Sequence, residues 1–276
     1  MQKRNFLKTV AALACVCILS AGSALAADEW TEVRVGVVGD YNAQWDTVNE
    51  LLAPEKIRVK LVKFSDYATP NRALADKELD LNAFQHKAFL ANDIERNGYK
   101  ITAIGDTFIT PLRIYNNKEK IKSIADIKDG DIIAIPSDLT NGGRAIKLLE
   151  AAGLVKVDPA KGFVPNKLDI THYNVKIKIR EAESGILARL LPDVSAALIN
   201  GGNAFTAGLN PAEDAIYAEN IDPKTNPYVG QLVNVIVSRT EDKDNPVYQK
   251  IVKAYQTDAV AKTLLEAYQG AYTPVW

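Results

Sequence analysis

Short apolar runs, some alternating with polar residues and some continuous, recur along the chain and are separated by stretches whose apolar positions fall at helical spacing. VRVGVVG (33–39) and IRVKLVKF (57–64) read as strands flanking a helical pattern from Ala43 to Leu52, a first βαβ unit. LDLNAF (79–84) leads into a helix through Leu90 and Ile94, and YKITAIGDTFI (99–109) closes a group of four predicted strands. A second series starts at LRIYNN (112–117), passes a short helix near SIADIK (123–128), and continues through DIIAIPS (131–137) to a helix from Arg144 to Ala152. KLDITHY, KIKIREA, SAALIN (195–200) and LVNVIVSR (232–239) supply further strands, and two amphipathic helices around Val247–Tyr255 and Val260–Tyr268 end the chain. Alternation of this kind predicts an α/β protein with mainly parallel sheets. With no internal repeat or low-complexity tract, two lobes built on similar principles are the simplest division.

The N-terminus changes the address of that fold. Lys3, Arg4 and Lys8 precede an apolar segment from Val10 to Leu19, and Ala24-Leu25-Ala26 forms an A-x-A site, the pattern of a secretory signal peptide over residues 1–26. The apolar segment is too short to span a bilayer comfortably, and a chain located in the periplasm is expected. Both cysteines, Cys15 and Cys17, lie inside the signal, so the mature protein has no disulfide or thiolate ligand. A lipid-modified Cys15 would need a leucine three positions upstream, where Ala12 stands, so cleavage near Ala26 without a lipid anchor is expected. Removing residues 1–26 takes three of the 33 basic side chains and none of the 34 acidic ones, leaving a net charge of about −4. A mildly acidic chain without a basic run argues against nucleic acid as a partner.

Secreted α/β proteins include many hydrolases, but no G-x-S-x-G, H-E-x-x-H or G-x-x-x-x-G-K-[ST] pattern occurs. With two histidines, His86 and His172, and no mature cysteine, a His/Cys metal site cannot be built, and neither metal nor cofactor is expected. Paired carboxylates such as Asp66 with Asp80 keep an acid/base enzyme open as a rival.

What remains is binding chemistry. Asn82-Ala83-Phe84-Gln85-His86-Lys87-Ala88-Phe89-Leu90 sits where a strand ends and a helix begins, and ligands of open α/β sheets bind at the carboxyl ends of strands. From residue types alone, Phe84 and Phe89 fit a pocket wall or a core equally well. After the strand DIIAI, Pro136–Arg144 opens a helix that Thr140 or Asn141 can cap, with two glycines that would let a ligand approach the backbone. Arg144 in the first turn would oppose the helix dipole, a conflict that a bound carboxylate held by the bidentate fork would repair. A surface arginine paired with a nearby acid is the alternative. Asn200 ends an apolar strand and Asn234 interrupts another, where an amide needs a partner, either a ligand or a neighbour in the core.

FSDYATPNRAL (64–74), DLNAFQHKAFL (80–90), DIIAIPSDLTNGGRAIKLLEAAGLV (131–155) and ALINGGNAFTAGLNP (197–211), in this order, resemble the NlpA/MetQ family of methionine-binding lipoproteins. The resemblance covers nearly the whole mature chain. It implies a type II periplasmic binding protein fold, two α/β lobes with a ligand cleft between them, with lobe 1 near 31–111 plus 239–276 and lobe 2 near 112–238. It also implies that Tyr67, Phe84 and His86 line the pocket for the ligand side chain. Phe89 stands where the family often has tyrosine. Arg144 would clamp the α-carboxylate, and Asn200 and Asn234 would hold the ligand's backbone polar groups. Arg113, where the family usually has a small residue, Asp138 directly after Ser137, and extra residues before Asn234 depart from the family pattern. The implied function is that of an extracytoplasmic solute-binding protein of an ABC importer, with no catalytic residues. It would bind D- or L-methionine and hand it to a membrane permease and its ATPase, and a monomer is expected. Alternatives are another amino acid or a methionine-containing dipeptide as ligand, a ligand sensor, or an enzyme on the same fold.

Overall fold

The computed structural model describes residues 29–276; the signal pattern, its cleavage site, Cys15 and Cys17 lie outside them. β1 (Thr31–Val38), α1 (Gln44–Leu52), β2 (Ile57–Phe64), α2 (Thr69–Ala75), β3 (Leu81–His86), α3 (Lys87–Asn97) and β4 (Ile101–Asp106) follow the first predicted series. The alternating valines make β1 a central strand, with Val33, Val35 and Val37 buried. β1 pairs in parallel with β2 from Thr31↔Ile57 to Val38↔Phe64 and with β3 on its other side. After β5 (Phe108–Ile109) the chain enters a second series: β6 (Arg113–Asn116), β7 (Ile132–Pro136), α4 (Leu139–Ala151), β8 (Val155–Val157), β9 (Ile170–Tyr173), β10 (Lys178–Ala182), β11 (Ala196–Ile199), α5 (Gly201–Thr206) and β12 (Ala215–Ala218). A helical turn, α6 (Val229–Leu232), then leads to β13 (Asn234–Arg239), α7 (Pro246–Tyr255), α8 (Asp258–Ala267) and β14 (Thr273–Pro274).

The two large sheets have matching construction. Their orders are β2-β1-β3-β13-β4 and β10-β7-β11-β6-β12. In each, the first three strands are parallel and the fourth runs antiparallel to both neighbours, so the sheets are mixed rather than mainly parallel. The fourth strand is in each case a visitor. β6 is the first strand of its sheet to follow the first series, and β13 is the first strand after the chain leaves the second. A strand arriving from the opposite sheet starts at the cleft, where the resident strands end, and therefore runs against them. β13, placed mostly with the second lobe on the sequence, pairs with β3 and β4 of the first sheet.

Helices cover both faces of each sheet. α1, α7 and α8 lay Trp45, Val48, Ile251, Tyr255, Val260 and Leu264 on one face of the first, while Leu74 of α2 and Leu90 of α3 cover the other with Val235 and Val237. α4 packs Ile146, Leu148 and Leu149 against Ile133, Ile135 and Leu198 of the second sheet. Each aliphatic side chain so buried contributes about 1.5–3 kcal/mol relative to exposure.

Candidate functional site

One cavity lies between the two sheets, and Tyr67, Phe84, His86, Phe89, Arg144, Asn200 and Asn234 all line it. Centres of water-sized occupants can fill about 70 Å³ of it, several times the roughly 10–15 Å³ that one water requires.

The wall built from the first sheet is aromatic. Tyr67 follows β2, Phe84 and His86 stand on β3, and Phe89 lies in the first turn of α3. Ring centroids of Tyr67, Phe84 and Phe89 are 5.9–6.0 Å apart, mostly edge to face, and the His86 ring meets Phe89 at 6.3 Å. Such pairs add about 0.5–1.5 kcal/mol beyond their buried area. A bulge aims these residues. Val235 and Val237 of β13 pair with Gln85 and Asn82, so two steps on β13 match three on β3. The extra residue brings Asn82 and Gln85 into one buried amide network. Gln85 Nε2 donates to Asn71 Oδ1 (2.6 Å) and Asn82 Oδ1 (3.0 Å), Asn82 Nδ2 to Asn71 Oδ1 (2.9 Å), and Asn71 Nδ2 to Asp93 Oδ2 (2.8 Å). α2, β3 and α3 are thus tied together behind the rings.

The opposite wall is polar. Asn141 Nδ2 donates to both carboxylate oxygens of Asp138, which leaves Oδ1 to accept from His86 Nε2 (3.2 Å), Arg144 Nη1 (3.2 Å) and Asn200 Nδ2 (2.9 Å). The His86 bond runs from the first sheet to α4 across the cavity. Because His86 Nδ1 accepts from Phe89 N at 3.1 Å, the ring proton sits on Nε2. Burial, reinforced by the Arg144 charge, lowers the His86 pKa to about 3, so the imidazole is neutral. Tyr67 is half-buried, and its hydroxyl accepts from Asn203 Nδ2 at 3.2 Å; desolvation of that hydroxyl in the cavity holds its pKa above the ordinary value. Two polar atoms of cavity-lining residues, Asn200 Oδ1 and Thr110 Oγ1, are buried with no hydrogen-bond partner among the described residues. Buried orphans of this kind cost about 1–3 kcal/mol each, and a ligand that bonded them would remove the cost.

Arg144 differs from its sequence reading in three ways. Asp138, not Thr140 or Asn141, caps α4, accepting from Asn141 N. The helix therefore starts at Leu139, and Arg144 sits in its second turn, beyond the dipole conflict expected at the first. At 4 % exposure it is not a surface arginine. It does have an acid, however: Nε and Nη2 donate to Glu219 Oε1 (3.1 Å) and Oε2 (2.5 Å). Thr110 O takes a further Nη2 hydrogen, so the bidentate edge assigned to a ligand on the sequence is already filled. The adjoining glycines do not serve ligand approach either. A Cβ on Gly142 would lie 2.9 Å from Pro136 O, and one on Gly143 2.7 Å from Val164 Cα; both glycines let α4 pack closely.

Asn234 opens β13 opposite His86, with the residues before it coiled into α6. Its Nδ2 makes one long bond, to Leu232 O at 3.4 Å. Arg113 is absent from the residues lining the cavity; Nη1 donates to Pro111 O at 3.4 Å, and burial lowers its pKa. Asp66 and Asp80, weighed as an acid/base pair, are engaged separately, Asp66 by Thr69 and Asp80 by Arg34. Among the described residues no group of three or more His, Cys, Asp or Glu is placed to hold a metal, and no helix is long and apolar enough to cross a membrane.

Sequence reasoning missed Asn141 as the hub, Glu219, Asn203, and the rings of Tyr268 and Tyr272 that also line the cavity. Asn141 lies within a motif already singled out, and an asparagine in the first turn after an aspartate cap was the available signal. Glu219, Tyr268 and Tyr272 carry no local pattern that sets them apart from a surface acid or a helix-face tyrosine.

The family model described as NlpA lipoprotein matches residues 33–276. The chain is 39 % identical over 272 residues to the probable D-methionine-binding lipoprotein MetQ of Vibrio cholerae, covering 98 % of this chain and 97 % of that one. It is 38 % identical over 248 residues to the D-methionine-binding lipoprotein MetQ of Escherichia coli, covering 88 % of each. A nutrient binding protein from Burkholderia cenocepacia, solved bound to methionine, superposes with a TM-score of 0.81 at 35 % identity, covering 88 % of this chain and all of that one.

Proposed function

Because the chain belongs to the NlpA lipoprotein family, whose members are non-enzymatic substrate-binding proteins of ABC transporters, we propose that it binds methionine in the periplasm and delivers it to an inner-membrane permease driven by a cytoplasmic ATPase. The observation that carries the reading is the union, in one buried cavity, of the rings of Tyr67, Phe84 and Phe89 with the Asn141–Arg144–Asn200 cluster. A free amino acid needs a donor for its carboxylate and acceptors for its ammonium. Arg144 supplies the first, and the orphan Asn200 Oδ1 supplies one of the second. An unbranched thioether suits a slot lined by aromatic edges, where sulfur–ring contacts contribute about 0.3–1.5 kcal/mol each.

In this reading His86 and Phe89 complete the side-chain slot and Asn234 holds a backbone polar group of the ligand. The division at 238/239 expected on the sequence moves to the start of β13, which pairs in the first sheet, so the lobes are residues 31–111 with 234–276 and 112–233, and hinge closure buries the ligand. The relatives are named lipoproteins; the intact mass of the mature protein decides whether Cys15 is lipidated here. Mass spectrometry of the small molecule released when purified protein is denatured tests the ligand. Methionine is the expected release. A different amino acid or a dipeptide, with no methionine binding on titration, would overturn it.

A further inference from the structure

Glu219 is held as firmly as the arginine it pairs with. It follows β12, its backbone N donates to Leu112 O at 2.9 Å, and its Oε2 accepts from Leu112 N at 3.0 Å as well as from Arg144 Nη2. Its side chain is 12 % exposed, so the pair sits in a medium where charges act strongly on one another. Two consequences follow for anything bound beside Arg144. Of the guanidinium's five N–H groups, Glu219, Thr110 O and Asn141 Oδ1 take four, which leaves a single N–H on Nη1. The second consequence concerns net charge. Arg144 and Glu219 cancel, the Asp138 carboxylate stands behind Asn141 Nδ2, and His86 faces the same cavity as a neutral ring, so no net positive charge awaits an anion. A zwitterion brings no net charge into this enclosure: its carboxylate meets the remaining N–H and its ammonium meets Asn200 Oδ1. A deaminated acid of the same shape brings an uncompensated negative charge up to an Arg144 whose own charge Glu219 already offsets from behind, and leaves Asn200 Oδ1 orphaned.

We propose that Glu219 is a positioning residue that sets the charge class of the ligand, restricting the site to net-neutral amino acids by neutralising Arg144 and occupying its bidentate edge. The proposal rests on the reading that Arg144 faces an amino-acid carboxylate. Removing the charge at residue 219 while keeping its shape should free that edge, make the surroundings of the cavity one charge more positive, and shift its preference toward anions.

Calorimetric titration of the wild-type protein, Glu219→Gln and Glu219→Asp with methionine and with 4-(methylthio)butanoate, its deaminated analogue, tests this. The wild-type protein is expected to prefer methionine by at least about tenfold, and Glu219→Gln to narrow that preference by at least about tenfold. Glu219→Asp, which retains the charge, is expected to keep most of it. A Gln variant with the wild-type ratio, or an Asp variant that narrows the ratio as much as Gln, overturns the proposal. Should the Gln variant fail to fold, a wild-type protein that binds both ligands equally overturns it, and discrimination retained in Glu219→Asp supports it. Failure of the wild-type protein to bind methionine counts against the proposed ligand instead. The same ratio is then read with the amino acid it does bind and that amino acid's deaminated acid.

Discussion

The two walls of the cavity are held in different ways. On the first-sheet side, Phe89 meets Tyr67 and Phe84 edge to face and those two rings are tilted against each other, all at about 6 Å, contacts that tolerate small rotations. On the second-sheet side, Asn141 Oδ1 gathers three donors and Arg144 is bonded to Glu219, Thr110 and Asn141. An apolar slot discriminates by only about 1–3 kcal/mol per methylene, whereas a buried polar group left unpaired penalises a wrong ligand more sharply. The aromatic wall is therefore suited to accepting a class of side chains, and the polar wall to demanding one kind of head group.

Removing Arg144 should break the comparison most severely. Arg144→Ala leaves Glu219 buried without its cation, and breaking a buried pair costs about 3–5 kcal/mol of stability. Ligand affinity should fall by at least about 2 kcal/mol as well. The double variant Arg144→Ala, Glu219→Gln separates the two losses: urea unfolding should show much of the stability restored, while calorimetry shows binding still impaired. Wild-type affinity in the double variant would remove Arg144 from the ligand's surroundings.

A smaller effect tests the bond by which His86 joins the walls. The His86 pKa is lowered in the folded protein, to about 3, against about 6.5 when unfolded. Between those values the unfolded chain binds the additional proton. The contribution of His86 to stability is therefore complete above about pH 6.5 and is lost as pH falls toward 3. Unfolding measured from pH 7 to 4 should show a stability loss in the wild-type protein that is reduced in His86→Gln. Equal slopes for the two proteins would contradict a buried neutral histidine.

How much of this was legible in the sequence differs between the walls in the same way. Phe84 and His86 announced themselves because a short apolar strand ended among them, and Arg144 because it followed a strand and two glycines. The strands and principal helices were equally readable from periodicity, since burial of one face imposes it. Long-range pairing was not readable. Glu219 lies 75 residues from Arg144, and Asn203 lies 136 from Tyr67. Nothing local distinguishes either from an ordinary polar residue. The bulge in β3 was also invisible, because it is defined by the register against β13, a strand contributed from the far end of the chain. The same long return explains why most of β13 was placed within the second lobe and why mixed sheets were read as mainly parallel.

The contrast between a tolerant aromatic wall and a strict polar one is tested most directly by titrating ligand-free protein with methionine, norleucine and methionine amide. Norleucine replaces the sulfur with a methylene and leaves the head group intact, whereas the amide keeps the side chain and removes the carboxylate. The account predicts that norleucine binds within about tenfold of methionine, the scale of sulfur–ring contacts, and that the amide binds at least about a hundredfold more weakly. An amide that binds as well as norleucine, or better, would contradict it.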